Sequence, residues 1–405
     1  MDVLSPIAFS LLLSFLLFAA PLQERDATTV LWTAPAILIS ALMIAWAAEA
    51  SQYFVAQGFA LAILAWLQTL PEFAVEAVLA WHQQSHLLLA NLTGALRLLT
   101  GTGWPLIYMT AALFHRRRTG IPMRKIALEE HHAVEVVGLL IPLLYIPVIA
   151  FKATLTVYDG IVLMAIYAAY LWILSRMPAE DQEQIEDLES IPRTIVLAPR
   201  SKRIVAIAVL FTVGGALIYF SAEPFLASLL ALATLAGMPE FVFVQWIAPL
   251  VSEFPELAST LYWARREGRP PMSLMNMVSS NINQWTMLTA MLPIVYSVSL
   301  GTIAPIAFDP RQQAELWLTL GQAFIGVIFL INMELMWWEA VTLAVLFVIP
   351  FTHSAAAGFV TWIYFGWIVL EIVRMMTGHR KPKAFRAFAH VWKTHVKAES
   401  VSRDR

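Results

Sequence analysis

Apolar stretches of roughly twenty residues succeed one another along the whole chain, and that repetition leaves it one solvent in which to fold. Hydrocarbon offers no partner to a free backbone N–H or C=O, so each stretch must satisfy its own hydrogen bonds as a helix. Composition agrees: 59% of the 405 residues are hydrophobic and 13% are charged, far from the balance of a soluble domain. The spans fall near 4–20, 30–50, 54–81, 87–114, 133–151 and 156–175, then near 203–236, 240–264, 273–298, 314–332, 334–351 and 355–376, twelve in all. The first is preceded by Asp2 and no basic cluster, and no clear small-residue cleavage site follows it. It therefore reads as a retained helix rather than a signal peptide. A net charge of −2 speaks against a nucleic-acid partner, and with no cysteine there is no disulfide, thiolate metal site or cysteine nucleophile.

Lysine and arginine set the orientation. The loop from His115-Arg116-Arg117-Arg118 to Lys125, the segment Arg200 to Arg203, the Arg265-Arg266-Glu267-Gly268-Arg269 loop and the tail after Gly378 all fall on one side of a twelve-span chain. The positive-inside rule makes that side the cytoplasm and puts both termini there, in what is expected to be the cell (inner) membrane.

Two of the spans carry the same anomaly. Leu70-Pro71-Glu72-Phe73 lies within 54–81 and Phe254-Pro255-Glu256-Leu257 within 240–264. A carboxylate in hydrocarbon is costly and marks a functional position. A proline there removes a helix hydrogen bond, so Pro71 frees the carbonyl of Leu67 and Pro255 that of Val251. A polar helix start follows each: Asn91-Leu92-Thr93-Gly94-Ala95 in one half, Asn276-Met277-Val278-Ser279-Ser280-Asn281 in the other, 19 and 20 residues after the glutamate. The later spans pair too, 133–151 with 314–332 and 156–175 with 334–351.

By the span count, the two glutamate helices run in opposite directions. The predicted fold is an all-α polytopic membrane protein with two inverted five-helix repeats, 30–176 and 203–352, and one extra transmembrane helix at each end, 1–29 and 353–378. A cytoplasmic linker, 177–202, and a basic cytoplasmic tail, 379–405, complete it. Broken helices meeting at the midplane of inverted repeats are how secondary transporters build an ion site. Carboxylates, freed carbonyls and nearby amide or hydroxyl oxygens form the hard donor set that calcium prefers. A structural proline kink is the competing explanation for one Pro-Glu pair; two at equivalent places favour the ion site.

These residues resemble the two alpha repeats of the sodium/calcium exchanger family, the cation/calcium antiporters, whose pattern reads G-T-S-x-P-E followed by G-N-x-x-G-S-N. Ala222-Glu223-Pro224-Phe225 and Tyr158-Asp159-Gly160-Ile161-Val162-Leu163 extend the likeness over about 30 to 351. The resemblance implies cation exchange by alternating access. Glu72 and Glu256 become paired calcium ligands, Thr69, Ser252 and Ser280 stand at the hydroxyl positions for sodium, Asn91 and Asn276 open the polar helix starts, and Gln284 stands as a further candidate ligand where the second repeat often offers aspartate or asparagine. Several residues depart from the pattern: Leu67 and Gln68 replace Gly-Thr, Val251 replaces Gly, Glu253 replaces Ser, and Ala95 and Leu99 replace polar side chains.

Glu253 stands three residues before Glu256, a spacing that shares one helical face. Two carboxylates at that range resist ionising together, which opens proton coupling as an alternative to sodium. A hydrogen bond from Glu253 to a neighbouring helix is the other reading. Arg97 needs a partner within its span, and Glu76, one turn after Glu72, is the expected one.

Glu129-Glu130-His131-His132 with Glu135 has metal-ligand residue types, but its place at a helix start explains it as a capping turn. The Trp337-Trp338 pair fits an interfacial aromatic belt, and the tail forms either an amphipathic helix on the leaflet or a solvated strand of charge. No P-loop, nucleophile elbow or zincin helix appears, so the expectation is not an enzyme and needs no cofactor. Its partners are the lipid bilayer and inorganic cations, with calcium, sodium or protons as the transported ions. Two alternatives stand beside calcium exchange: a cation/proton exchanger for another metal, and a non-transporting protein that keeps the fold with a dismantled site.

Overall fold

The computed structural model describes residues 26–51, 69–177 and 190–397, together with Ile185 and Leu188. The expected first span, 4–20, and the first part of the third, through Gln68, lie outside the described residues. The chain divides into two compact units that do not follow its halves. One is Met1–His82 with Ala179–Pro255, the other Gln83–Pro178 with Glu256–Arg405. Each unit thus takes one portion from either repeat.

In the first unit, α1 (Val30–Ser51) packs along α8 (Arg200–Leu235), with α2 (Leu70–Trp81), the short α7 (Ser190–Leu197) and α9 (Glu240–Ser252) around them. At 1.5 Å per residue α1 is about 33 Å long, enough to cross a hydrocarbon core. Asp26 starts it with a capping turn, its carboxylate accepting from the backbone N–H of Thr28 and Thr29. Those bonds, the Thr28 side chain's first, hold its carboxyl below the usual range. Trp32, Ala36, Ile39 and Met43 of α1 meet Leu217 of α8. The two helices approach closely at Gly214, where a Cβ would sit 3.2 Å from the carbonyl oxygen of Ser40, and Thr33 Oγ1 and Ser228 Oγ hydrogen-bond at 3.1 Å. Part of the segment read as a linker is folded: Leu188, Ile195 and Val196 are buried against Ala50.

The second unit holds α3 (Ser85–Leu98), a π-helical segment Leu99–Gly103, α4 (Trp104–Thr119), β1 (Lys125–Ala127), α5 (Ala133–Lys152), β2 (Thr154–Leu155) and α6 (Val157–Leu174). From the later part of the chain come α10 (Phe254–Ala264, from Glu256 on), α11 (Pro270–Asn283), a π-helical segment Gln284–Leu288, α12 (Thr289–Leu300), β3 (Ile306–Ala307), α13 (Pro310–Leu330), β4 (Glu334–Met336) and α14 (Trp337–Thr352). The last helices are α15 (Ala357–Met376) and α16 (Lys383–Val391).

The packing is exchanged between the repeats as a two-fold requires. α11 packs on α5 and α3 on α13; α12 packs on α6 and α4 on α14; the second π segment lies against α6 and the first against α14. The strands obey the same exchange, β1 pairing antiparallel with β4 and β2 with β3. Even the left-handed turns correspond: Ala153 (φ 51°) closes α5, and Met333 (φ 62°) stands at the matching place after α13. Asp159 and Glu339, again equivalent, each cap the helix they begin: Asp159 accepts from Thr156 N at 2.7 Å and Glu339 from Met336 N at 2.8 Å.

Helix lengths alter the span count. Among the described residues six helices are long and apolar enough to cross a membrane by themselves: Ala27–Ser51, Glu130–Lys152, Val157–Leu174, Arg200–Leu235, Pro310–Leu330 and Ser354–Met376. The span expected at 240–264 is two helices, α9 and α10, and those expected at 87–114 and 273–298 each carry a π segment at mid-length. Hydropathy averages over such interruptions, and six of the expected twelve spans meet the length and apolarity of a crossing helix among the described residues.

Residues 383–397 of the expected tail are helical. α16 packs on α5, with Ala384 and Val391 buried, and His390 Nδ1 lies 2.8 Å from Glu130 Oε1. Arg380 enters the unit interior, donating to Glu339 Oε1 (2.7 Å), Glu371 Oε2 (3.2 Å) and the carbonyl of Phe329 (2.9 Å).

Candidate cation site

Both prolines stand at helix starts among the described residues. Pro71 occupies the first turn of α2, where its missing N–H costs nothing, and Pro255 is the second residue of α10, one residue beyond the end of α9. At the second pair α9 ends at Ser252 and α10 begins at Phe254, with Glu253 between them at φ −84° and ψ −10°; the carbonyl of Leu67 lies outside the described residues. The break has an electrostatic consequence. Glu72 and Glu256 each sit in the first turn of a new helix, where the unpaired N–H groups favour negative charge.

In the second unit the site is built around Glu256, which is 8% exposed. Ser280 Oγ of α11 donates to Glu256 Oε2 at 2.8 Å. The Glu256 carbonyl accepts from Thr260 Oγ1 (2.8 Å) and Ser259 Oγ (3.0 Å), and Ser273 Oγ donates to the carbonyl of Thr260 at 2.5 Å. These bonds tie α10 to α11 and fix the carboxylate's direction. Asn91 and Gln284 are buried in the same unit, Asn91 within α3 and Gln284 opening the second π segment, while Asn276 is half-buried on α11. π segments interrupt the hydrogen-bond ladder and occur often at functional sites; here they begin at Leu99 and Gln284, the equivalent positions of the two repeats.

In the first unit Glu72, Glu253, Thr69 and Ser252 are all buried. Ser252 Oγ bonds back to its own helix, donating to the carbonyls of Ala248 (3.2 Å) and Pro249 (3.4 Å). Thr69 precedes α2 and its carbonyl accepts from Phe73 N at 3.0 Å. Glu253 caps α9, its N–H donating to the carbonyl of Pro249 at 2.8 Å.

Arg97 is 2% exposed, and its Nη2 lies 2.9 Å from Glu315 Oε2 of α13, a partner the sequence did not suggest. Gln322, also of α13, donates to the carbonyl of Arg97 at 2.9 Å and accepts from Tyr364 OH at 3.4 Å. Arg97 thus takes part in the α3–α13 packing.

Sequence reasoning passed over Asn281 and Thr100. Thr100 Oγ1 of the first π segment donates to Asn281 Oδ1 at 3.4 Å, bridging the repeats, and Nδ2 of Asn281 is buried with no recorded partner among the described residues. The Asn-x-x-Ser-Ser-Asn run that flagged Asn276 also contained Asn281. The Glu129 turn is a cap, with His132 Nδ1 accepting from Glu129 N at 3.1 Å. Among the described residues no three His, Asp or Glu side chains group to hold a metal.

A helix broken before a buried carboxylate, repeated with exchanged packing, defines a secondary transporter of the broken-helix class. The family described as sodium/calcium exchanger protein matches residues 27–176 and 206–355, and the chain belongs to it. It is therefore an integral membrane protein of the cation/calcium antiporter kind, in a family of transporters rather than enzymes. The crystal structure of the H+/Ca2+ exchanger CAX superposes with a TM-score of 0.85 at 30% identity, over 95% of this chain and 97% of that one. Native YfkE (TM-score 0.62, 15% identity, 85% and 98% covered) and the sodium-calcium exchanger NCX_Mj (0.53, 17%, 81% and 98%) share the fold. None of the curated proteins matches the sequence.

Proposed function

We propose that this protein exchanges calcium for protons by alternating access, with Glu72 and Glu256 as the carboxylate ligands and Glu253 as the group that takes up the counter-proton. The carrying observation is Glu256: a buried carboxylate in the first turn of a broken helix, aimed by Ser280. Ser280, Gln284, Asn91 and Asn276 supply neutral oxygens in one unit, Thr69 and Ser252 in the other. A shell of two carboxylates and neutral oxygens suits calcium. Protons are favoured over sodium as the driving ion because Ala95 replaces a hydroxyl while Glu253 adds a titratable group. The likeness to an H+/Ca2+ exchanger at 30% identity supports the same coupling. The repeats would run 30–176 and 203–352, with the basic loops and both termini in the cytoplasm of a cell whose inner membrane holds the protein.

Everted vesicles test this. Calcium uptake driven by a proton gradient should appear with the wild type, vanish with Glu256→Gln and fall strongly with Glu253→Gln. Uptake under a sodium gradient alone would assign sodium instead. No uptake under either gradient, with no effect of Glu256→Gln, would return the dismantled-site alternative.

A further inference from the structure

The surface of the second unit carries a groove that the transport reading does not use. α5 and α6 diverge over a cavity of about 420 Å³ whose wall includes Val134, Gly138, Ile161, Ala165 and Ala169, with Phe388 of α16 closing one end. Small residues make room for it: Ala165 and Ala169 leave the volume a leucine would fill, whereas Gly138 is backed by the Tyr170 ring, 2.9 Å from where a Cβ would stand. Its rim is exposed, Ile141 at 44% and Ile161 at 56%, on two helices long and apolar enough to span the membrane. Water has nothing to bond there, since the one polar group on the wall, the Tyr170 hydroxyl, already pairs with Ser279 Oγ at 3.1 Å. Hydrocarbon must fill it, and its volume lies within the range of about 300–1,000 Å³ typical of ligand pockets.

The Phe388 end has a different chemistry. Phe388 packs on Trp392 with ring centroids 6.0 Å apart, Trp392 on Trp172 at 6.0 Å, and the Arg176 guanidinium lies 4.8 Å over the Trp172 ring. Lys393, next to Trp392, is exposed. Aromatic rings beside cations at the end of a spanning helix mark the headgroup level, and the cations favour anionic lipid. We propose that this groove is a binding site for one anionic phospholipid, its acyl chain between α5 and α6 and its phosphate beside Arg176 and Lys393.

The test is native mass spectrometry of the full chain, delipidated in detergent and titrated with phosphatidylglycerol or phosphatidylcholine. The wild type should retain one phosphatidylglycerol per chain at least about tenfold better than phosphatidylcholine. Ala169→Trp, which fills the groove from its exposed rim, should abolish the adduct. Arg176→Gln with Lys393→Gln should keep an adduct but erase the preference between the lipids. Thermal unfolding checks that Ala169→Trp is folded; if it is not, Ala165→Leu carries the same test. An adduct unchanged by filling the groove, or no headgroup preference in the wild type, would overturn the proposal. So would a dimer that forms in place of the adduct, since a second copy would then cover the groove.

Discussion

Arg380→Met removes a guanidinium that serves two buried carboxylates at once, and the structure says which of them suffers. Glu371, 0% exposed, keeps Arg374 Nη1 at 2.7 Å and the Trp367 indole N–H at 3.3 Å. Glu339, 1% exposed, keeps the backbone N–H of Met336 at 2.8 Å and loses its 2.7 Å charge partner. Stranding a buried charge costs about 3–5 kcal/mol, and here nearly all of it should fall on Glu339. In equilibrium unfolding in mixed micelles, Arg380→Met should lose that amount. Adding Glu339→Gln should restore about 1–3 kcal/mol, the usual coupling between groups in contact, while adding Glu371→Gln should restore none. A cost below about 1 kcal/mol, the level of a surface pair, would refute the reasoning, as would equal rescue by both second substitutions.

Ser280→Ala should weaken calcium binding about 10–100-fold by freeing the Glu256 carboxylate to rotate, the usual effect of losing a residue that orients a ligand, and isothermal titration in detergent would measure it. Gly101→Ala would place a Cβ 2.6 Å from Phe347, so unfolding should show a loss of about 1–3 kcal/mol that Phe347→Leu partly relieves. Arg97→Gln should cost about 1.5–3 kcal/mol of stability by removing the 2.9 Å bond to the Glu315 carboxylate, yet folded protein in proteoliposomes should still move calcium. Abolished flux in folded Arg97→Gln would give Arg97 a part in transport.

The repeats were legible because inversion leaves a mark that hydropathy and spacing preserve: Pro71-Glu72 answers Pro255-Glu256, and Asn91 answers Asn276. Local chemistry carried those readings. The break between Ser252 and Phe254 was harder, because a proline in an apolar run is compatible with a kink or a new helix, and only the backbone decides. The π segments leave no periodic trace over five residues. Partners distant in sequence were beyond reach. Glu315, 2.9 Å from Arg97, stands far from it in sequence, and only the packing of α13 on α3 brings it there. Arg380 likewise looked like one charge in a basic tail, and became the partner of Glu339 only through the docking of α15 and α16. The division into units that take part of each repeat follows from which helices pack, not from where the sequence repeats.

Calcium–calcium exchange in proteoliposomes of the purified protein tests the central claim most directly, because it needs the ion site but no coupling ion. Labelled calcium inside should exchange with external calcium in the wild type, and Glu256→Gln and Glu72→Gln should each abolish the exchange while remaining folded. Exchange that survives in both variants would contradict the account.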